Sequence, residues 1–171
     1  MTADRDAPLE VKWEGKFVRT LKRGRWEYVS RTGSVNAVVI VAETEGRIVL
    51  IDQYRVPIGK RCLELPAGLV GDEDPDATVE GTAVKELEEE AGYTAQRIEV
   101  LGEFQSSPGM LSESFTLVRA HDLRKVGDGG GTEHEDINVH LVAREDIPEF
   151  VAARRAEGMA IDVKLLIFMQ F

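Results

Sequence analysis

The sequence predicts an α/β fold, a sandwich in which a mixed β-sheet is covered by helices. Residues 35–42 and 47–53 form largely apolar runs, which are typical of central strands buried on both faces. Residues 147–157 instead repeat apolar side chains at helical spacing and stop at Gly158. Strands with helices packed on both sides therefore give an α/β/α sandwich.

An N-terminal β appendage is predicted over residues 1–31, ahead of a main domain over residues 32–171. Residues 10–21 and 25–30 alternate β-branched or aromatic side chains with charged ones, and Gly24 lies in the turn between them. This pattern predicts an antiparallel hairpin. Two strands of this size are not stable alone, so the hairpin is an appendage rather than a domain.

The remaining elements follow in order along the chain. Asp74 and Pro75 supply an N-cap and a first-turn proline, and Gly92 ends the helix that they begin. Asp162 caps a final apolar helix that runs to Phe171. Three further strands are predicted over residues 97–105, 113–120 and 136–143. A glycine-rich mobile loop is predicted over residues 127–131, between the last two strands.

Composition favours one core and argues against several functions. A chain of 171 residues with 43% hydrophobic content can bury one substantial core. The net charge of −10 repels phosphates, so nucleic acid is not an expected partner. No apolar run reaches the ~20 residues of a membrane span, and the N-terminus lacks a signal-peptide core. The single Cys62 fits a buried thiol in a reducing compartment, and we expect a cytoplasmic protein.

Acidic residues crowd the end of the predicted helix. At about 100° per residue, Glu86 and Glu90 lie one above the other on a helix, and Glu89 is about 60° away. Like charges this close raise one another's pKa and weaken a helix, whereas Mg²⁺ or Mn²⁺ binds carboxylate oxygens and reverses that penalty. The cluster is interpreted as a metal site. The alternative is a solvated acidic face, which is common for such runs.

Two separated segments carry a family resemblance. Residues 64–68 (ELPAG) and residues 85–92 (KELEEEAG) together resemble the Nudix box of nucleoside-diphosphate hydrolases. Residues 53–57 (QYRVP) and residues 107–109 (SPG) resemble the ADP-ribose pyrophosphatase branch of that superfamily. Pro108 lies 16 positions after Gly92, a spacing that marks members hydrolysing ADP-ribose.

The resemblance implies roles for the acidic residues. Glu86 and Glu90 would ligate the metal together with the backbone carbonyl of Ala67, and Glu89 would support catalysis. In the family a later acidic loop residue completes the site. This implies metal ligation by Glu135 and activation or orientation of the attacking water by Glu133. The alternative for both loop residues is a solvated acidic loop, and His134 between them is interpreted as exposed rather than as a general base.

The resemblance also implies substrate contacts. Segments 14–17 and 26–31 look like those with which related ADP-sugar pyrophosphatases hold adenine between aromatic rings, one from each subunit. Phe17 and Trp26 would then stack on the base and Glu27 would accept from its amino group. The appendage would be exchanged within a homodimer, and the alternative is that Phe17 and Trp26 are hairpin core residues. Further substrate contacts are implied for Arg31, Arg55, Pro108 and Gly109, although Arg55 alone also fits a surface arginine at a strand end.

Two departures from the family pattern affect the box. Lys85 stands where the pattern has arginine, and it lies 17 positions after Gly68 instead of 14. The early box glutamate is therefore assigned to Glu73 first, to Asp74 second, or to Glu80 on the helix. Gly81 inside a helix costs about 1 kcal/mol relative to alanine, which predicts close packing there.

The activity implied by the resemblance is hydrolysis of a phosphoanhydride with Mg²⁺ as cofactor and Mn²⁺ as an alternative. The expected substrate is ADP-ribose or a similar ADP-sugar, cleaved to AMP and a sugar phosphate by a homodimer. One rival is the same chemistry on another nucleoside diphosphate sugar such as GDP-mannose. A rival of another class is a non-catalytic Nudix-fold sensor that binds ADP-ribose.

Overall fold

The computed structural model describes residues 4–33, 35–72, 74–133 and 135–169. Within these ranges the strands are β1 (Leu9–Glu14), β2 (Val18–Arg23), β3 (Trp26–Arg31), β4 (Asn36–Thr44), β5 (Arg47–Arg55), β6 (Lys60–Glu64), β7 (Ala67–Val70), β8 (Tyr93–Gln105), β9 (Ser114–Lys125), β10 (Ile137–Ala143) and β11 (Ala160–Ile161). The α-helices are α1 (Val79–Ala91) and α2 (Ile147–Ala156). Short 3₁₀ helices cover Val56–Ile58, Arg144–Asp146 and Val163–Phe168.

The appendage is a three-stranded antiparallel sheet in the order β1-β2-β3. The prediction of one strand over residues 10–21 was wrong, because the chain turns between β1 and β2 and the Gly15 amide donates to the Val18 carbonyl at 2.9 Å. A Cβ at Gly15 would come within 2.3 Å of the exposed Trp13 ring, so a larger residue in this turn would displace that ring. The predicted turn at Gly24 is confirmed, with φ of 58°.

The main sheet is mixed, with the strand order β11-β6-β5-β4-β9-β8. Strand β4 pairs in parallel with β9 and antiparallel with β7, whereas it meets β5 only at its end, through Glu43 and Thr44. Strand β10 pairs with β5. Strand β4 therefore pairs with β7 along its first half and with β5 only at its far end.

Alternate residues of β4 face two different hydrophobic cores. Val38 and Ile40 pack with Leu87 of α1, while Val39 and Val41 pack with Val151 of α2. Each fully buried aliphatic side chain of this kind stabilises the fold by roughly 1.5–3 kcal/mol. The predicted α/β/α sandwich is confirmed. None of the helices in the described ranges has the length and apolar character needed to span a membrane.

Helix α1 begins later than the sequence predicts. Thr78 is the N-cap, and its Oγ1 accepts from the Gly81 amide at 3.1 Å. Asp74 instead accepts from the Asp76 amide at 3.0 Å, which closes a local turn before the helix. The prediction of close packing at Gly81 was also wrong, because a Cβ there would meet only the Thr78 hydroxyl within 4 Å. The predicted helix end at Gly92 is confirmed.

Near the C-terminus, Asp162 caps its helix as predicted by accepting from the Lys164 amide at 2.7 Å. That helix is 3₁₀ rather than α and ends at Phe168, and the predicted end at Phe171 lies outside the described residues. Cys62 is buried as predicted. Burial raises the pKa of its thiol to about 12, so the thiol stays protonated and unreactive.

Candidate active site

Two carboxylates of α1 lie against the turn that begins β7. Glu90 is 3% exposed, and its Oε2 accepts from the Ala67 amide at 2.9 Å. A Cβ added at Gly68 would come within 2.2 Å of Glu86 Oε1. A side chain at Gly68 would therefore displace the Glu86 carboxylate, which occupies the space that the side chain would fill.

The buried carboxyl group of Glu90 has a raised pKa. Burial raises the pKa of Glu90 to about 8, and the neighbouring charges of Glu86 and Glu135 raise it as well. The Ala67 amide and Arg55 act in the opposite direction. The three carboxylates are thus close enough to interact, and deprotonating all three has an electrostatic cost.

The loop after β9 brings Glu135 to this cluster. The Gly130 amide donates to the Glu90 carbonyl and the Gly131 amide to the Glu89 carbonyl, each at 3.0 Å. A Cβ at Gly129 would lie 2.6 Å from the Glu90 carbonyl oxygen, so the glycines permit this close approach. These contacts satisfy carbonyls at the end of α1 that have no partner within the helix.

The carboxylate donors suit a hard divalent cation, although they are not converged around one point. Glu135 Oε2 accepts from the Thr132 amide at 2.9 Å and from its hydroxyl at 3.1 Å. In the described part of the chain, no group of three acidic, histidine or cysteine side chains is already arranged as a metal site. Oxygen-only donors and mutual repulsion nonetheless fit Mg²⁺ or Mn²⁺, and Glu135 would turn from Thr132 to join Glu86 and Glu90.

A cleft of about 760 Å³ opens beside the acidic cluster. Its acidic wall includes Glu86, Glu89, Glu90 and Glu135. Its cationic side chains are Arg31, Arg55, Lys85 and Lys164. A volume of this size is within the range of small-molecule sites in proteins, and the mixture of charges suits a ligand that carries anionic groups.

The other predicted acidic residues lie in different places. Glu89 lines the cleft, with Lys85 at 4.0 Å from its carboxylate. Glu133 is exposed on the loop, and it does not line the cleft. Asp74 lines the cleft, while Glu80 lies on the first turn of α1 away from it. Glu73 and His134, for which roles were also considered, lie outside the described residues.

Arg55 lies in the cleft, but its guanidinium already has a carboxylate partner. Its Nε and Nη2 donate to the two carboxylate oxygens of Glu64, at 2.8 and 2.6 Å. Glu64 is buried, so this bidentate pair holds the arginine side chain in place. Sequence reasoning missed the pair although Glu64 opens the ELPAG segment. It also missed Lys164, for which the local sequence carries no signal.

Of the other residues predicted to contact the substrate, one lines this cleft and the rest do not. Arg31 lines it, and its Nε donates to Glu113. Phe17 is 63% exposed and Trp26 is 55% exposed, so the alternative that they are hairpin core residues is wrong. Glu27, Pro108 and Gly109 are also exposed.

The fold and the acidic cleft define a member of a known family. The NUDIX domain model matches residues 32–160. This chain belongs to the Nudix family, as the resemblance predicted.

Two relatives and one solved structure are similar to this chain. An ADP-ribose pyrophosphatase of Bacillus subtilis is 33% identical, over 78% of this chain and 70% of its own length. A methanol dehydrogenase activator of Bacillus methanolicus is 33% identical, over 85% of this chain and 74% of its own length. A crystal structure of an ADP compounds hydrolase superposes with a TM-score of 0.70 at 24% identity, covering 94% of this chain and 89% of that one. The last similarity concerns the fold alone.

Proposed function

We propose that this Nudix hydrolase cleaves the diphosphate of ADP-ribose or a related ADP-sugar to AMP and a sugar phosphate, with Mg²⁺ as its cofactor. The observation that carries the proposal is the position of Glu86 and Glu90 against Gly68 and Ala67, with Glu135 brought to them by the loop. The identity with an ADP-ribose pyrophosphatase supports the substrate.

The acidic residues have separate roles in this proposal. Glu86, Glu90 and Glu135 hold the cation, and the carbonyl of Ala67 adds a further oxygen donor. A bound divalent cation neutralises part of the diphosphate charge and makes a nearby water more acidic. Glu89 supports the cluster from the next position around α1. Glu133 is close to Glu135 in sequence, and we assign it to activating or orienting the attacking water.

The cationic side chains of the cleft position the diphosphate. Arg55 is held by Glu64, Arg31 by Glu113 and Lys164 by Asp162, whose Oδ2 lies 2.7 Å from the Lys164 ammonium. Because each cation is pre-oriented by an acidic partner, little reorganisation is needed when an anionic substrate enters. Arg55 would approach the substrate with the N–H groups that Glu64 does not use.

The adenine-binding half of the site is proposed to need a second subunit. Phe17 and Trp26 expose large aromatic surfaces on the appendage, which also exposes Leu9, Val11 and Trp13. Exposed apolar surface of this kind marks an interaction site. We assign the surface to a homodimer in which adenine stacks between Phe17 and Trp26 of opposite subunits while Glu27 accepts from its amino group. The buried, unreactive Cys62 is compatible with the reducing cytoplasm.

Product analysis tests the reaction and its rivals together. Purified protein is incubated with Mg²⁺ and ADP-ribose, GDP-mannose, a diadenosine polyphosphate or NADH, and the products are separated by chromatography. We expect AMP and a sugar phosphate from ADP-ribose as the preferred reaction. Faster release of GMP from GDP-mannose would reassign the base, whereas tight binding of ADP-ribose without any product in Mg²⁺ or Mn²⁺ would identify a sensor.

A further inference from the structure

We infer that Arg61 is a positioning residue that ties the acidic loop to the sheet and so sets where Glu135 lies relative to Glu86 and Glu90. Arg61 lies on β6, outside the cleft lining, and the proposed reaction assigns it no role. The inference rests on the proposed metal-binding role of Glu135. Its evidence is a hydrogen-bond network that joins three strands to the loop.

The network begins at a buried aspartate. Asp52 on β5 is 2% exposed, and its carboxylate accepts from Arg61 Nε and, at 3.2 Å, from Asn138 Nδ2. His140 Nε2 lies 2.6 Å from the other carboxylate oxygen. Burial raises the pKa of Asp52, but the bonds from His140, Arg61 and Asn138 outweigh it and hold the pKa below its usual value. Asp52 is therefore a stable fixed charge, and it orients the Arg61 guanidinium.

The other edge of the Arg61 guanidinium faces the loop. Nη1 donates to the Asp136 carboxylate at 2.6 Å, and Nη2 donates to the Asp136 backbone carbonyl at 2.9 Å. Nη2 also donates to the Asp52 carbonyl at 2.9 Å. The planar Arg61 guanidinium thus bridges the buried Asp52 and the exposed Asp136. A lysine ammonium could not reproduce this bridge.

Asp136 is the residue directly after Glu135, so the bridge acts next to the proposed metal ligand. On its other side the loop is held to α1 through Gly130 and Gly131. The closing contact between these anchors is long, with 3.4 Å from the Ile137 amide to the Gly130 carbonyl. Glu135, whose carboxylate bonds Thr132 in this structure, therefore lies between a glycine anchor and the Arg61 anchor. Loss of the Arg61 anchor would release the backbone from which Glu135 reaches Glu86 and Glu90.

The network contains more hydrogen bonds than the buried Asp52 carboxylate needs. His140 and Asn138 already bond the Asp52 carboxylate, and Asp136 is exposed and so does not need a partner. The two bonds from Arg61 to Asp136 therefore do little for the fold and much for the loop. Residues that orient metal ligands in this indirect way typically change metal affinity by about 10–100-fold when they are altered.

The test measures Mn²⁺ binding to the 171-residue chain, using the electron paramagnetic resonance signal of free Mn²⁺. The variants Arg61→Lys and Asp136→Ala are compared with Arg144→Lys. This variant is the matched control, because it weakens a different ion pair, between Arg144 and Glu43. We expect about 10-fold weaker Mn²⁺ binding for the first two and no change for the control. For ADP-ribose, kcat at subsaturating Mg²⁺ should fall while KM changes by less than about 3-fold.

A double variant tests whether Arg61 affects Mn²⁺ binding through Glu135 or independently of it. If Arg61 acts through Glu135, Glu135→Gln combined with Asp136→Ala should bind Mn²⁺ no more weakly than Glu135→Gln alone. An additive loss, or wild-type Mn²⁺ affinity in both Arg61→Lys and Asp136→Ala, would overturn the inference and leave the proposed function intact. Unchanged Mn²⁺ affinity in Glu135→Gln itself would remove Glu135 from the metal site and overturn both.

Discussion

The acidic cleft and the N-terminal appendage differ in how far one chain completes them. In the cleft, Glu90 is buried and bonded to Ala67, and Arg55 is bonded to a buried Glu64. In the appendage, Phe17 and Trp26 are more than half exposed. This difference is the basis of our proposal that one chain supplies the metal half of the site, whereas a second subunit completes the base half.

The largest expected effect breaks the cleft. Glu90→Gln should lower kcat by at least about 100-fold, because the cation then loses a charged ligand and supplies less transition-state stabilisation. Glu88→Gln is the matched control, since Glu88 is exposed on the same helix and does not line the cleft. Steady-state kinetics in excess Mg²⁺ check both variants. Activity of Glu90→Gln within a few fold of wild type would remove it from the metal site.

A substitution of Gly68 tests the acidic cleft by moving a carboxylate instead of removing its charge. Gly68→Ala places a methyl group within 2.2 Å of the present position of Glu86 Oε1, so the carboxylate must move. A displacement of this size in a catalytic group costs about 10–100-fold in kcat. Gly127→Ala is the control, because a Cβ there meets nothing within 4 Å. Equal kcat values for the two variants would contradict the proposed packing of Glu86.

The appendage is expected to affect substrate binding more than chemistry. Trp26→Ala should raise KM for ADP-ribose about 10-fold, given roughly 1–3 kcal/mol for each ring stacked on a base. Trp13→Ala removes another exposed indole from the same sheet and should leave KM within about 3-fold of wild type. A fall in melting temperature with unchanged KM for Trp26→Ala would mean that this ring only stabilises the appendage.

The smallest expected effect is on stability and depends on pH. The pKa of Glu90 is about 8 in the folded chain and near 4.5 when unfolded, so the folded state holds this proton more tightly. The tighter binding of this proton in the folded state therefore stabilises the fold fully below pH 4.5, and this stabilisation is lost as pH rises towards 8. In metal-free buffer, Glu90→Gln should melt roughly 5 °C above wild type at pH 8, and the difference should shrink at pH 5. A constant difference across this range would contradict the raised pKa.

Some elements could be predicted because their signals are local. The apolar runs of β4 and β5 and the glycine at the end of α1 carry their structure in a few neighbouring residues. The start of α1 could not be located, because Asp74 with Pro75 and Thr78 are both suitable helix starts. Asp74 closes a turn instead, and no local rule distinguishes these outcomes.

The candidate site shows the same division. Glu86, Glu89 and Glu90 share a helix face, so helix geometry alone groups them. The bonds between Arg55 and Glu64 and between Arg61 and Asp136 join residues from different elements. Such pairs depend on strand register and loop path, which the spacing of residues in one segment does not determine.

The most direct test of the account is whether one subunit's metal site uses an aromatic ring of its partner. Two purified heterodimers are needed, one pairing Glu90→Gln with Trp26→Ala and the other pairing Glu90→Gln with Phe17→Ala, each isolated through two different tags. In both, the intact metal site belongs to the subunit that lacks an aromatic ring. If adenine lies between rings of opposite subunits, one of the two heterodimers and not the other should recover the wild-type KM for ADP-ribose, with roughly half the wild-type kcat per dimer. A raised KM in both heterodimers, or the failure of the chain to dimerise, would contradict the account.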